Sequence, residues 1–154
     1  MNKQVKIPSL DDYHSFDGGG GHKIWRETSD NWRCPVCNRT KFEILRWTKR
    51  QGPFRDGRRH PFLGWYACLH CHHDHKQNPW IDLGSGRFKK LVICDHCNSV
   101  DGAVKRKYDL PDNFSFSPDE IKQFITARPH EKHEIDYERA LQIYNNRSLT
   151  KGCK

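Results

Sequence analysis

Three Cys-x-x-Cys pairs, Cys34/Cys37, Cys68/Cys71 and Cys94/Cys97, take up six of the seven cysteines. They restrict what this chain can fold around more than any other feature of it. A tight turn between two cysteines lets both sulfurs face one ion, and a tetrahedral zinc takes two such pairs. Two of the three pairs therefore predict one structural zinc site, with a third pair left over. Spacing does not choose between them. Joining Cys34/Cys37 to Cys94/Cys97 encloses the whole middle of the chain, whereas joining Cys68/Cys71 to Cys94/Cys97 leaves 22 residues between the pairs, near ordinary zinc-ribbon spacing. The neighbours of Cys71 weigh against the second option. His72 and His73 follow it directly, and in a strand Leu69, Cys71 and His73 share one face, so ligation by Cys71 would draw the histidines into the structural site. On that ground the first pairing is favoured, and Cys68 and Cys71 are expected to be small buried apolar groups or free thiols. No βαβ pattern surrounds any pair, which argues against a thioredoxin-like oxidoreductase. Cys153, in a polar tail, is expected to be inert.

A metal also answers a shortage of core. Only 34% of the 154 residues are hydrophobic, against 30% charged, and small cores are often supplemented by metal. The net charge of +8 and isoelectric point of about 9.2 suit a polyanionic partner, with nucleic acid the default. Cations cluster at Arg46, Lys49, Arg50, Arg55, Arg58 and Arg59, at Arg87, Lys89 and Lys90, and at Lys105, Arg106 and Lys107. Of these, Arg58, Arg59, Arg87, Lys89, Lys90, Lys105 and Arg106 are the expected nucleic-acid contacts. No run of 18 apolar residues exists, and Met1 to Leu10 lacks the apolar stretch of a secretory signal. The expectation is a cytoplasmic protein without a membrane segment, whose cysteines stay reduced and available for metal.

Residues 1–30 read as a flexible arm around the run Gly18 to Gly21, with Trp25 and Trp32 as anchors. Residues 31–110 read as the core. Within it Phe42 to Trp47, 62–70 and Arg87 to Ile93 are strand candidates, Gln51 to Arg59 and Asn78 to Gly86 are loops, and a helix runs from Asn98 to about Tyr108 despite Gly102. Residues 111–154 read as a helical extension. Ser117-Pro118-Asp119-Glu120 has the capping-box pattern for a helix to about Ala127. Tyr137, Ala140, Leu141 and Tyr144 give a second helix, from Glu134 to Asn146, its apolar face. The fold class is α+β.

The chemistry concentrates where 62–70 ends. His70, His72, His73 and His75 fall within six residues, with Asp74 among them, and imidazole is both a proton acceptor near neutrality and a frequent metal ligand. The order Cys34-x-x-Cys37, then His72-His73-Asp74-His75, then Cys94-x-x-Cys97-Asn98 resembles HNH, or His-Me finger, endonucleases. Within them it is most similar to the phage recombination endonuclease VII branch, over roughly Arg33 to Lys107. That resemblance implies a small zinc-stabilised ββα-metal nuclease domain with extra C-terminal helices. It implies structural Zn²⁺ on Cys34, Cys37, Cys94 and Cys97, His73 as general base, Asn98 as a divalent-metal ligand on the helix, and His75 as the family's further histidine. The branch has Asp where this chain has His72; other HNH nucleases place a His-His pair there, with the first residue on the metal. The expected catalytic divalent ion is Mg²⁺, Mn²⁺ or Ni²⁺, and the softer imidazole of His72 shifts preference towards transition ions such as Mn²⁺, Ni²⁺ or Zn²⁺. A second departure is the long insert between Cys37 and the histidines.

Phosphodiester hydrolysis needs these parts: a base for water, a cation on the phosphate and help for the leaving oxygen. The expected activity is metal-dependent hydrolysis of phosphodiester bonds in nucleic acid, DNA before RNA, by a chain that could act as a homodimer or within a larger effector complex. The competing reading is a non-catalytic zinc-binding nucleic-acid module or effector-complex subunit, in which the histidines do no chemistry. Singly, each histidine is an ordinary polar residue, Asn98 an ordinary helix residue, and His96, inside a knuckle turn, an exposed side chain.

Overall fold

A computed structural model describes residues 4–18, 23–50, 62–75 and 87–150, the side chains of 50 and 148–150 excepted. The loops expected at 51–59 and 78–86, with Arg58 and Arg59, the glycines at 19–21 and Cys153 lie outside the described residues. The chain is α+β, with three two-stranded antiparallel sheets among the described residues. It divides into two compact units, Met1–Arg33 with Arg39–Cys68 and Arg128–Glu131, and Cys34–Asn38 with Leu69–Ala127 and Lys132–Lys154.

The first unit begins with helices α1 (Leu10–Ser15) and α2 (Lys23–Glu27) where an irregular arm was expected. Ser9 and Asp12 form a reciprocal capping box on α1, satisfying donors that the first turn leaves without intrahelical partners. Trp25 is buried, its ring edge-on to Phe16 at 5.1 Å. The buried Lys41 ammonium donates to the carbonyls of Trp25 and Thr28 at 2.8 and 3.0 Å, at the C-terminal end of α2. The strand expected over Phe42 to Trp47 is divided. Thr40 and Glu43 cap a short helix α3 (Lys41–Ile44), and β1 (Arg46–Arg50) starts only after Leu45. Aromatic and β-branched content suggested a strand, but a capping box two residues upstream fixed the first turn as helix. β1 pairs with β2 (Phe62–Tyr66) in the register Arg46↔Tyr66, Trp47↔Trp65 and Thr48↔Gly64. Ile44, Leu45 and Ala67 are fully buried. His130 returns to this unit, its backbone N–H donating to Glu43 O at 2.7 Å and its ring nitrogen Nδ1 to Leu45 O at 2.8 Å.

The second unit is built on β3 (Leu69–His72), β4 (Leu91–Cys94) and helix α4 (Asp95–Tyr108), which follows β4 without a break. The single strand expected over 62–70 is thus two, β2 ending at Tyr66 and β3 beginning at Leu69. The strands pair antiparallel, with Leu69↔Cys94 and His72↔Leu91 as the outer partners. Leu69, Ile93, Val100 and Val104 are buried, as period-two and helical spacing require of one strand face and one helix stripe. Gly102 does not interrupt α4. The helix ends at Asp109, in the left-handed region at φ 51°, with the Asp109 and Leu110 N–H groups both reaching Lys105 O before Pro111, a C-terminal closure of the Schellman kind. Helix α5 (Pro118–Lys122) carries the expected Ser117–Glu120 box but gives way to β5 (Ile125–Thr126). β6 (Glu134–Ile135) pairs with β5 ahead of α6 (Tyr137–Thr150). Phe116 and Phe124, both fully buried, stack edge-on at 5.1 Å. No helix among the described residues is long and apolar enough to cross a membrane.

Candidate metal centres

Cys34, Cys37, Cys94 and Cys97 come together, with all four sulfurs within 4.8 Å of one another. Two local structures aim them. Asn38, in the left-handed region at φ 60°, closes the first knuckle by donating its N–H to Cys34 O at 2.8 Å. Cys94 is the N-cap of α4 and Cys97 lies in its first turn, so the positive end of a 14-residue helix faces the thiolates. The Cys94 N–H also donates to Cys34 Sγ at 3.4 Å. The Sγ pairs 34/97 and 37/94 are each 3.8 Å apart. A tetrahedral zinc with Zn–S bonds of about 2.3 Å has sulfur–sulfur edges of about 3.8 Å, so the cluster fits a metal such as zinc. This is the pairing favoured on the residues.

Four adjacent thiols cannot all ionise without a cation. Cys37 is pushed down by hydrogen bonding from Cys34, then from Cys94 and Cys97. Cys34 is raised by Cys37 but lowered by Cys94 and Cys97, for a net fall to about 7. Cys94 is pushed up, chiefly by its bonds to Cys34 and Cys37, and Cys97 up by Cys34, Cys37 and Cys94. One flank of the cluster is a residue that sequence spacing did not single out. His133 Nε2 lies 3.0 Å from Cys97 Sγ, and its ring is 5.7 Å from that of His96. His96 itself is buried, 3.9 Å from the Asp95 carboxylate. The exposed position expected for it is corrected, because the first turn of α4 faces into the unit.

Cys68 and Cys71 stand outside the cluster, and neither is in a disulfide. Cys71 belongs to β3, whose side chains alternate in face, so this Cys-x-x-Cys makes no knuckle turn.

A second constellation lies at the end of β3. His72 is 2% exposed. Its Nε2 is 2.8 Å from Phe116 O, and its ring stacks on Phe88 with centroids 5.2 Å apart and planes within 10°. A carbonyl only accepts, so Nε2 carries the proton and Nδ1 of the neutral ring presents its lone pair. That Nδ1 is 3.2 Å from Asn98 Oδ1, on the first turn of α4. Two acceptors at this distance repel unless a shared cation or proton joins them, or the Asn98 amide turns to offer its N–H₂. Neighbouring ligands on a small divalent ion with bonds of about 2.1 Å stand about 3 Å apart, so His72 and Asn98 fit such an ion. A backbone carbonyl on the far ring nitrogen is the usual support of a histidine ligand.

The adjacent imidazoles are oriented differently. His73 Nδ1 donates to Cys71 O at 3.2 Å, which leaves Nε2 as the acceptor. His75 is exposed, its ring centroid 5.3 Å from that of His73. Its backbone N–H donates to Ser115 Oγ at 3.0 Å. Its Nδ1 lies 3.3 Å from the Lys105 ammonium and 3.4 Å from Asp112 O. A proton on Nδ1 would face the ammonium, so Nδ1 accepts from Lys105 and Nε2 keeps the proton. Asp74 is 1% exposed and accepts from the Arg87 N–H at 3.0 Å, fixing the chain beyond β3.

Lys105 and Arg87, expected on nucleic acid, have protein partners in this structure. The Lys105 ammonium pairs with Asp101 at 2.9 Å, one helical turn away, and donates to Phe114 O at 2.8 Å. Arg87 donates to Ser115 O, pairs with Glu120 at 3.3 Å and lies over the Phe114 ring at 4.8 Å. Both are interior ties. Lys89, Lys90 and Arg106 are exposed. Phe88, Phe116 and His133 are the site residues that sequence reasoning missed. Only Phe88 had a signal, its place in a strand candidate running to Cys94. Comparison with protein-family models, with curated proteins and with solved structures gave no match.

Proposed function

We propose that this chain is a metal-dependent endonuclease of the His-Me finger kind, hydrolysing phosphodiester bonds in nucleic acid, DNA before RNA. One observation carries the reading: His72 Nδ1 and Asn98 Oδ1 converge at 3.2 Å, with His73 next along the chain and the β3–β4–α4 hairpin and helix bracketed by the cysteine knuckles. His72 and Asn98 would hold the divalent ion, and when bound that ion supplies positive charge to the scissile phosphate and the leaving oxygen.

The chain's own groups do the rest. His73, oriented through Nδ1 by the Cys71 carbonyl, takes a proton from water at Nε2 while the water oxygen bonds to phosphorus. The P–O bond opposite breaks, its electron pair leaves with the oxygen, and solvent protonates that oxygen to a hydroxyl. A phosphate monoester remains on the other fragment. A positioned base contributes about 10²–10⁴-fold. His75, with its proton on Nε2, donates a hydrogen bond to a non-bridging phosphate oxygen. Burial of His72 and its stacking on Phe88 limit its freedom to leave the ion.

The test is cleavage of plasmid, linear, single-stranded and branched DNA across Mg²⁺, Mn²⁺ and Ni²⁺. His73→Ala should lose cleavage while keeping its zinc content and circular dichroism. Equal cleavage by that variant removes the assignment.

A further inference from the structure

The β1–β2 ribbon carries a surface that neither metal centre uses. Residues directly opposite in an antiparallel pair share a face. The register therefore puts Trp47, Trp65, Lys49 and Leu63 on one face, and Arg46, Tyr66, Thr48, Gly64 and Phe62 on the other. Each face keeps one aromatic ring open, Trp47 at 38% exposed and Phe62 also at 38%, and Leu63 is 62% exposed. Half-open rings on both sides of a two-stranded ribbon are not core.

The open rings are held in place. Trp65 meets Trp47 edge-on at 5.1 Å, and the Asp12 carboxylate of α1 takes a hydrogen bond from Trp65. Phe62 lies back along its own strand over Gly64. A methyl group at Gly64 would come within 3.3 Å of Phe62 Cζ, so the absence of a side chain there is what lets the ring lie down, and its other face points outward.

The charge on the ribbon has one sign. Arg46, Lys49 and Arg50 lie in β1, and neither strand contains an aspartate or glutamate. From the segment before α1, the Lys6 ammonium sits 3.2 Å from the Trp47 ring centroid and 5.5 Å from that of Trp65. Cations interleaved with open aromatic faces match a ligand that offers anions and flat π-surfaces together. Duplex nucleic acid offers phosphates but hides its base faces, and an acidic peptide offers carboxylates without regular rings. A single strand offers both at each nucleotide.

We infer that the two faces of the β1–β2 ribbon are stacking surfaces for unpaired bases, with Trp47 as the ring on one face and Phe62 as the ring on the other, and with Lys6, Arg46 and Lys49 on the flanking phosphates. Lys6 covers one face of Trp47 in the free chain, so a base arriving there moves the ammonium to a phosphate. The inference deepens the nuclease reading by naming single-stranded segments as part of the substrate, and it rests on that reading only for a nucleic-acid partner.

The experiment uses the full zinc-loaded chain without added divalent metal, so that no cleavage intervenes. Fluorescein-labelled oligothymidylate and a duplex of equal length are titrated by anisotropy, with tryptophan quenching as a second signal. Oligothymidylate should bind more tightly than duplex and quench the tryptophans. Trp47→Ala and Phe62→Ala should each weaken oligothymidylate binding by roughly 5- to 100-fold, the range of a lost base–aromatic stack, with duplex affinity unchanged. Trp47→Phe should restore most of the loss. Circular dichroism and zinc content check that each variant is folded. Unchanged affinity in both alanine variants overturns the inference, as does an equal loss for single strand and duplex. A dimer in light scattering that Trp47→Ala or Phe62→Ala dissolves also overturns it, by assigning the face to a second copy. Cleavage that persists without single-strand preference sinks this inference and spares the nuclease reading; a chain that binds single strands through these rings but never cleaves does the reverse.

Discussion

Two of the antiparallel strand pairs among the described residues, β1–β2 and β3–β4, have the same local architecture and opposite fates. β3–β4 buries Leu69, His72, Ile93 and Cys94 almost completely, whereas β1–β2 leaves Trp47, Phe62 and Leu63 in water. Strand propensity does not separate them, since β1–β2 is the richer in aromatics. What separates them is what is joined to each. β4 runs straight into α4, and that junction carries two of the four clustered sulfurs, so helix, hairpin and metal site share one set of residues. An isolated two-stranded hairpin is marginal in water, and packing against a helix is what stabilises it. The comparison teaches that a polar side chain such as His72 is buried on the hairpin that a helix backs.

The largest effect should come from the metal. Chelation, or Cys94→Ser, should collapse the β3–β4–α4 unit, because structural zinc contributes about 10–16 kcal/mol in apparent terms to small domains. Loss of helical circular dichroism on adding a strong chelator, reversed by zinc, is the expected result; an unchanged spectrum would break the contrast between the hairpins at its root. The same site should be pH-sensitive. A bound cation requires thiolates, while Cys94 and Cys97 are pushed up and held protonated in its absence, so binding expels protons and affinity falls as pH falls. Below about 7, Cys34 also takes its proton, and the decline should steepen. Competition with a chromophoric chelator across pH measures this, and a flat profile would contradict it.

Next comes His73→Ala, with cleavage falling about 10²–10⁴-fold and no change in melting temperature, since its ring is only partly buried. The comparison itself is sharpened by a matched pair of truncations. Ile93→Ala should destabilise by about 2–5 kcal/mol and Leu63→Ala by less than about 0.5 kcal/mol in urea unfolding; similar losses at both would mean that β1–β2 is covered in solution. Between those two losses falls Ser117→Ala, which removes the cap of α5 and should cost about 1 kcal/mol in the same unfolding measurement.

Much of the second unit was legible in the chain. The Ser117–Glu120 box, the helix after Cys97 and the pairing of the outer knuckles all followed from residues a few positions apart or from the incompatibility of Cys71 with its histidine neighbours. The first unit was less so. Phe42 to Trp47 reads as strand by composition, yet Thr40 and Glu43 form a capping box that starts a helix there; Ser9 and Asp12 likewise start a helix in a segment that reads as an irregular arm. Lys105 and Arg87 differ for another reason. Their charge is visible in the sequence, but their partners, Asp101 and the Phe114 carbonyl for one and Glu120 with the Ser115 carbonyl for the other, depend on how the segment after α4 returns.

By itself the sequence determined which side chains could act as ligands and which could act as bases, because cysteine spacing and imidazole chemistry are local properties. For His72 and His75, only the tertiary structure decided which ring nitrogen holds the proton. His72 is set by the carbonyl of Phe116, 44 positions away, and His75 by Lys105, 30 away. It likewise decided that His133 meets Cys97. A tautomer is chosen by the nearest donor or acceptor in space, and no spacing along the chain encodes that neighbour.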